Sequence, residues 1–265
     1  MALSIEANLR WVRAFLADEW RLVLPVALAF LALPPLVLAL ALPVQVVAMP
    51  QTLGDLQALG AAMPPWLGPL GIAVTLVSIV GALAIMALAL VPRISVGEAI
   101  LVALRRAPVW IGAALLVLAA TIVTLVAVGT ALMLAGLQQA MVMTLILLGL
   151  IVATLFLILL MPLVVDRRIG PIAAMRQGLP LYRRGFARSA GACALVWSIT
   201  WITSVAIRVG VGSLLLMGGI AAGQPETARA LAAILASVLA SLQWSFFYVF
   251  VASLYRSRAG AIGAI

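Results

Sequence analysis

Seven carboxylates are the only acids in the chain: Glu6, Asp18, Glu19, Asp55, Glu98, Asp166 and Glu226. There is no histidine and one cysteine, Cys193. Metal-assisted phosphodiester hydrolysis needs converging carboxylates or imidazoles. Asp18 and Glu19 are adjacent and diverge on a helix, and the other five are scattered. No Ser-His-Asp set, metal-ligand spacing or phosphate-cradling glycine loop occurs. These residues predict no catalytic site, no metal and no cofactor. A single cysteine excludes an internal disulfide, and Cys193 reads as a small packing residue.

The other charged residues are sixteen arginines, with no lysine, for a net charge of +9. Six of them lie between Pro162 and Arg188: Arg167, Arg168, Arg176, Arg183, Arg184 and Arg188. Asp166 is the one acid of that segment. A basic cluster flanked by apolar runs suits the phosphates of an anionic membrane surface better than a nucleic acid. Candidate headgroup ligands are therefore Arg167, Arg168, Arg176, Arg183 and Arg184, with Arg105 and Arg106 on an earlier segment. Asp166 is a candidate switchable ion pair. The plainer reading is a span end whose carboxylate a neighbouring arginine neutralises, which adds little stability.

A second constellation lies in apolar sequence. Trp197, Thr200, Trp201, Ser204 and Arg208 share one helical face. Further on, Ala233, Ser237, Ser241 and Ser245 recur every four residues, joined by Trp244 and Tyr248. Small residues let helices approach closely, so these faces predict tight packing or a dimer contact. The sharper reading is a polar crevice for a lipid headgroup or small solute. From Gly191, a rise of 1.5 Å per residue puts Arg208 about 25 Å along its helix, close to the edge of a core about 30 Å thick. There it can snorkel, and Glu226 is its expected partner.

The elements that must position these residues follow from composition. The 265 residues are 66% hydrophobic and 9% charged, with mean hydropathy +1.30. A soluble domain is about a quarter charged, so the solvent here is lipid. The expected architecture is all-α: a polytopic integral membrane protein, six transmembrane helices with in-plane amphipathic connecting helices, in one domain over 1–265. Residues 1–20 read as an amphipathic N-terminal helix capped by Ser4, retained in the mature protein, because a basic leader with a short apolar core is lacking. Spans are expected at about 21–41, 67–91, 109–134, 141–165, 189–217 and 230–254. Pro25 and Pro34-Pro35 predict a kink in the first. The loop from Leu42 to Trp66 carries only Asp55 and faces outward, with Trp66 as an interfacial anchor.

Ser95 and Glu98 form a capping box at the start of a helix that Arg105 and Arg106 close and Pro108 breaks. Pro171 suits the first turn of the helix in the basic connector, and Pro180 interrupts or ends it. Six spans place both termini on one side. That side collects fourteen arginines and the other only Arg229 and Arg208, which predicts cytoplasmic termini. Amphipathic segments starting at Ser4, Ser95 and Arg168 each precede a pair of spans, a weak threefold repeat.

One family pattern is present between Ile94 and Arg188. Pro162 and Asp166 close a span, Gly170, Ala174 and Arg176 follow on a basic helix, and Leu181, Arg184, Gly185 and Phe186 lead into the next span. With Glu98 and Arg105-Arg106 upstream, this resembles the glycerophosphoryl diester phosphodiesterase membrane-domain family and related six-span bacterial membrane proteins of unknown function. Where that family often has a serine after the basic residue, this chain has Gln177-Gly178. In some members the membrane domain precedes a soluble phosphodiesterase domain, and this sequence ends shortly after its last span. The resemblance implies a bacterial cytoplasmic (inner) membrane. The residues imply a non-catalytic multi-pass protein that binds anionic lipid and organises a membrane complex, with a homo-oligomer or a membrane protein as partner and no nucleic acid. The alternative is a small transporter or lipid-handling protein with its path between the fifth and sixth spans.

Overall fold

The computed structural model describes residues 5–41, 64–134, 136, 138–167, 169–183 and 186–262. All regular structure among them is helical. In order these are α1 (Ile5–Ala27), a π-helical turn (Leu28–Ala32), α2 (Leu33–Ala41), α3 (Leu67–Leu90), α4 (Val96–Leu134), α5 (Gln139–Asp166), α6 (Pro171–Arg183), α7 (Phe186–Ala221) and α8 (Pro225–Ile262). Among the described residues six helical runs are long and apolar enough to cross a membrane: Ile5–Ala41, Leu67–Leu90, Val96–Leu134, Met141–Asp166, Ala187–Ala221 and Pro225–Ala259. The chain is an all-α, multi-pass membrane protein. Most of the expected outward loop, and Ser4, lie outside the described residues.

Two connecting segments differ from expectation. Residues 5–20 and 96–107 are not separate in-plane helices but run without a break into the first and third spans. Pro108 sits inside α4, whose 39 residues extend about 58 Å. Arg105 and Arg106 are consequently mid-helix and close nothing. A proline removes one backbone donor, a loss that packed membrane helices tolerate. Pro180 likewise lies inside α6. In the first span the strain of Pro34-Pro35 is taken up just upstream, where the Leu33 N–H bonds the Leu28 carbonyl in a π-turn. Among the described residues only α6 stands as a helix of its own between spans, and it begins at Pro171 as its sequence predicts.

The capping box forms as expected. Ser95 N–H donates to Glu98 Oε2 at 2.9 Å, and Glu98 N–H donates to Ser95 Oγ at 3.3 Å. These bonds, the backbone one first, hold the Glu98 carboxyl below the usual carboxylate range. Just before it, Arg93 takes a left-handed conformation, φ 59°, that turns the chain from α3 into α4.

The core lies at the arginine-rich end. Residues 80–89 of α3 are buried on every side, as are Phe247, Val249, Phe250, Val251, Ala252 and Leu254 of α8. Leu159 and Met161 of α5, Ala99 and Ala103 of α4, and Val12, Val23 and Val26 of α1 belong to the same cluster. Away from that end burial is pairwise. Gly129 of α4 meets Val142 and Ile146 of α5, and Gly219 of α7 meets Ala228 of α8. Threonine hydroxyls on the lipid-facing surfaces bond their own helices: Thr75 to Gly71, Thr124 to Ala120, Thr130 to Val126 and Thr154 to Leu150, each at 2.8 Å. In a medium without water these internal bonds remove the cost of an open hydroxyl.

Candidate functional site

Three contacts gather the arginines at one end. The Arg256 guanidinium stands 5.0 Å over the Trp11 ring, joining the last helix to the first. Pro171 packs against Gly112, joining α6 to α4. Tyr255 at the end of α8 donates its hydroxyl proton to Asp166 Oδ2 at 2.5 Å, joining the sixth span to the fourth. Around this end Arg10, Arg13, Arg21, Arg93, Arg105, Arg167, Arg176, Arg188 and Arg256 are exposed, and Arg106 is partly buried. Arg168 and Arg184 lie outside the described residues, as does the side chain of Arg183.

Among the described residues the hydrogen-bond partner of the Asp166 carboxylate is a tyrosine. The neighbouring Arg167 donates to Gln177 Oε1 of α6 at 3.2 Å. The reason is geometric. Asp166 ends α5 and faces the packed end of α8, whereas Arg167 begins the turn into α6. The Tyr255 ring is 2% exposed, set among Leu160, Leu163, Val164, Ala113 and Ala174. Its hydroxyl reaches out to the exposed carboxylate. An apolar body with a polar tip suits the boundary between hydrocarbon and headgroups. A tyrosine ending the last span beside Arg256 was the available sequence signal. Its partner 89 residues away was not.

The fifth and sixth spans, α7 and α8, lie side by side. Ser237, Ser241 and Ser245 are buried. Ser241 and Ser245 bond back to Val238 and Ser241 carbonyls at 2.8 and 2.7 Å, and Thr200 bonds back to Val196 at 2.9 Å. Cys193 is buried in the same core. Two polar atoms on this stripe stand apart: Ser204 Oγ and Arg208 Nε are buried with no hydrogen-bond partner. Arg208 makes no ion pair with Glu226 among the described residues. Glu226 opens α8 at the turn, and Arg208 lies thirteen residues, about 20 Å of helix, from the end of α7.

Beside this stripe runs a groove of about 440 Å3 between α5 and the α7–α8 pair. Ile151, Leu155 and Ile158 form one wall, Trp197 and Ser198 the second, and Trp244 and Phe247 the floor. Trp197 stacks on Trp201 with centroids 6.1 Å apart, and Trp244 stacks on Tyr248 at 5.6 Å. Comparison of the chain with protein-family models, with curated proteins and with solved structures returned no match.

Proposed function

We propose that this chain is a non-catalytic protein of a bacterial inner membrane, with both termini cytoplasmic, whose arginine-rich end holds anionic lipid headgroups and organises a membrane complex. The observation that carries the reading is the gathering of exposed arginines at the packed end of the bundle, with Arg176 on α6 and Arg105 within α4. Guanidinium groups at a membrane surface pair with phosphates, each contributing about 1 kcal/mol. The strong charge asymmetry between the two ends supports the cytoplasmic orientation. The resemblance to the glycerophosphoryl diester phosphodiesterase membrane-domain family supports a bacterial setting and lends no catalytic residue to this chain. The close packing of α7 on α8, with Gly219 against Ala228, gives no support to a solute path between the last two spans.

The test is lipid retention by native mass spectrometry of the full chain from membranes containing phosphatidylglycerol. The pair Arg105→Ala with Arg176→Ala removes two surface charges, about 2 kcal/mol, and weakens retention roughly 30-fold. Equal retention by wild type and the pair would refute the headgroup role. A second protein chain held by the wild type and lost by the pair would identify the complex.

A further inference from the structure

We propose that the groove between α5 and the α7–α8 pair binds one acidic phospholipid from the leaflet opposite the arginine-rich end, with its acyl chain against Trp197 and Trp244 and its phosphate on Arg208. The site is separate from the basic end and does not depend on that reading.

The first argument is polar satisfaction. Thr154 on α5 and Thr203 on α7 itself bond carbonyls of their own helices, yet Ser204 is 5% exposed with an unpartnered hydroxyl. One turn on, Arg208 Nε is buried and equally unpartnered. Buried donors without acceptors are costly, and hydrocarbon offers none. The Arg208 side chain is only partly buried, so an acceptor from outside the chain can reach its guanidinium, and it must be anionic to answer that charge.

The second argument is continuity. Residues 197, 201, 204 and 208 are spaced four, three and four apart, so they form one stripe along α7. Its lower end, Trp197, lines the groove, and its upper end carries the charge. The eleven residues between them span about 16 Å, against about 15 Å of hydrocarbon in one leaflet of a 30 Å core. A phosphate seated on Arg208 therefore lets an acyl chain end at Trp197 and Trp244. The groove's volume, about 440 Å3, falls in the range of ligand pockets, roughly 300–1,000 Å3. A zwitterionic headgroup would bring an ammonium against Arg208, so an acidic lipid is favoured.

The experiment uses the full chain in phosphatidylcholine vesicles carrying a trace of phosphatidylglycerol with a photoreactive diazirine near the end of its acyl chain. After irradiation, labelled peptides are mapped. The expected labels fall on residues 150–158 and 194–198. They drop roughly tenfold in Arg208→Gln, the scale of a lost charge-assisted hydrogen bond, and persist in Arg208→Lys. Phosphatidylcholine with the same tail should label the wild type only as strongly as phosphatidylglycerol labels Arg208→Gln. Should Arg208→Gln fail to fold, Ser198→Phe fills the groove instead and must abolish the labels while leaving the melting curve unchanged. Labels spread evenly over the lipid-facing sides of α4, α5 and α7 would overturn the proposal as mere boundary lipid. So would labels indifferent to both variants, or a second protein chain crosslinked across the groove.

Discussion

Replacing Tyr255 by phenylalanine destabilises the folded chain by about 1.5–3 kcal/mol, the contribution of a hydrogen bond to a charged group. The Tyr255 hydroxyl meets Asp166 Oδ2 at 2.5 Å, within the range for a hydroxyl donating to an ionised carboxylate. The ring is almost wholly buried, so phenylalanine keeps the packing and loses only the hydroxyl's contacts, with Asp166 and with the neighbouring Arg167. Asp166 is exposed, so water reaches the freed carboxylate and the loss falls at the lower end of that range. Thermal unfolding in detergent should shift down by about 3–6 °C. A double-mutant cycle with Asp166→Ala should return a coupling near the single-mutant loss, because the two side chains act on one contact. An unshifted melting curve in Tyr255→Phe would show that the contact does not tie the fourth and sixth spans together.

Gly81→Val is expected to cost about 3 kcal/mol, the upper end for overpacking a tight core. A Cβ at Gly81 would stand 2.5 Å from Phe30 Cβ and 3.3 Å from Leu31 Cδ2. Phe30 Cβ is fixed to the backbone of the π-turn, so no side-chain rotation relieves the clash and the first and second spans must part. The gain in helix propensity on leaving glycine, at most about 1 kcal/mol, is smaller than that cost. Gly68→Ala in the first turn of α3 is the control. Nothing lies within 4 Å of its added Cβ, so it should be neutral or slightly stabilising. If both variants melt alike, the π-turn is not seated on Gly81.

The spans were legible because the signal is local. Runs such as Leu67–Leu90 are apolar throughout, and lipid demands helices of about that length. The Ser95–Glu98 box was legible for the same reason, since both partners sit within one turn. Helix breaks were misread at Pro108 and Pro180, where packing against neighbouring helices sustains a helix that propensity alone would end. The contact of Asp166 with Tyr255 was not legible because its two partners lie 89 residues apart. A single sequence offers five candidate spans for that contact and no means of choosing. The groove belongs to the same class. Trp197 and Trp244 each stood out as aromatics, but only the fold sets them against Ile151 and Leu155.

Orientation is the premise on which the account of the arginine-rich end rests, and single-cysteine labelling tests it directly. Gly97→Cys places an open thiol on the first turn of α4, and Gln224→Cys places one on the exposed turn between α7 and α8. The buried Cys193 remains unlabelled in the folded chain. Three spans separate the two positions. A membrane-impermeant maleimide should reach Gly97→Cys only in inside-out inner-membrane vesicles and Gln224→Cys only in right-side-out ones. Labelling of both positions from one face would contradict the span count, and the reverse pattern would put the arginine-rich end on the wrong side of the membrane.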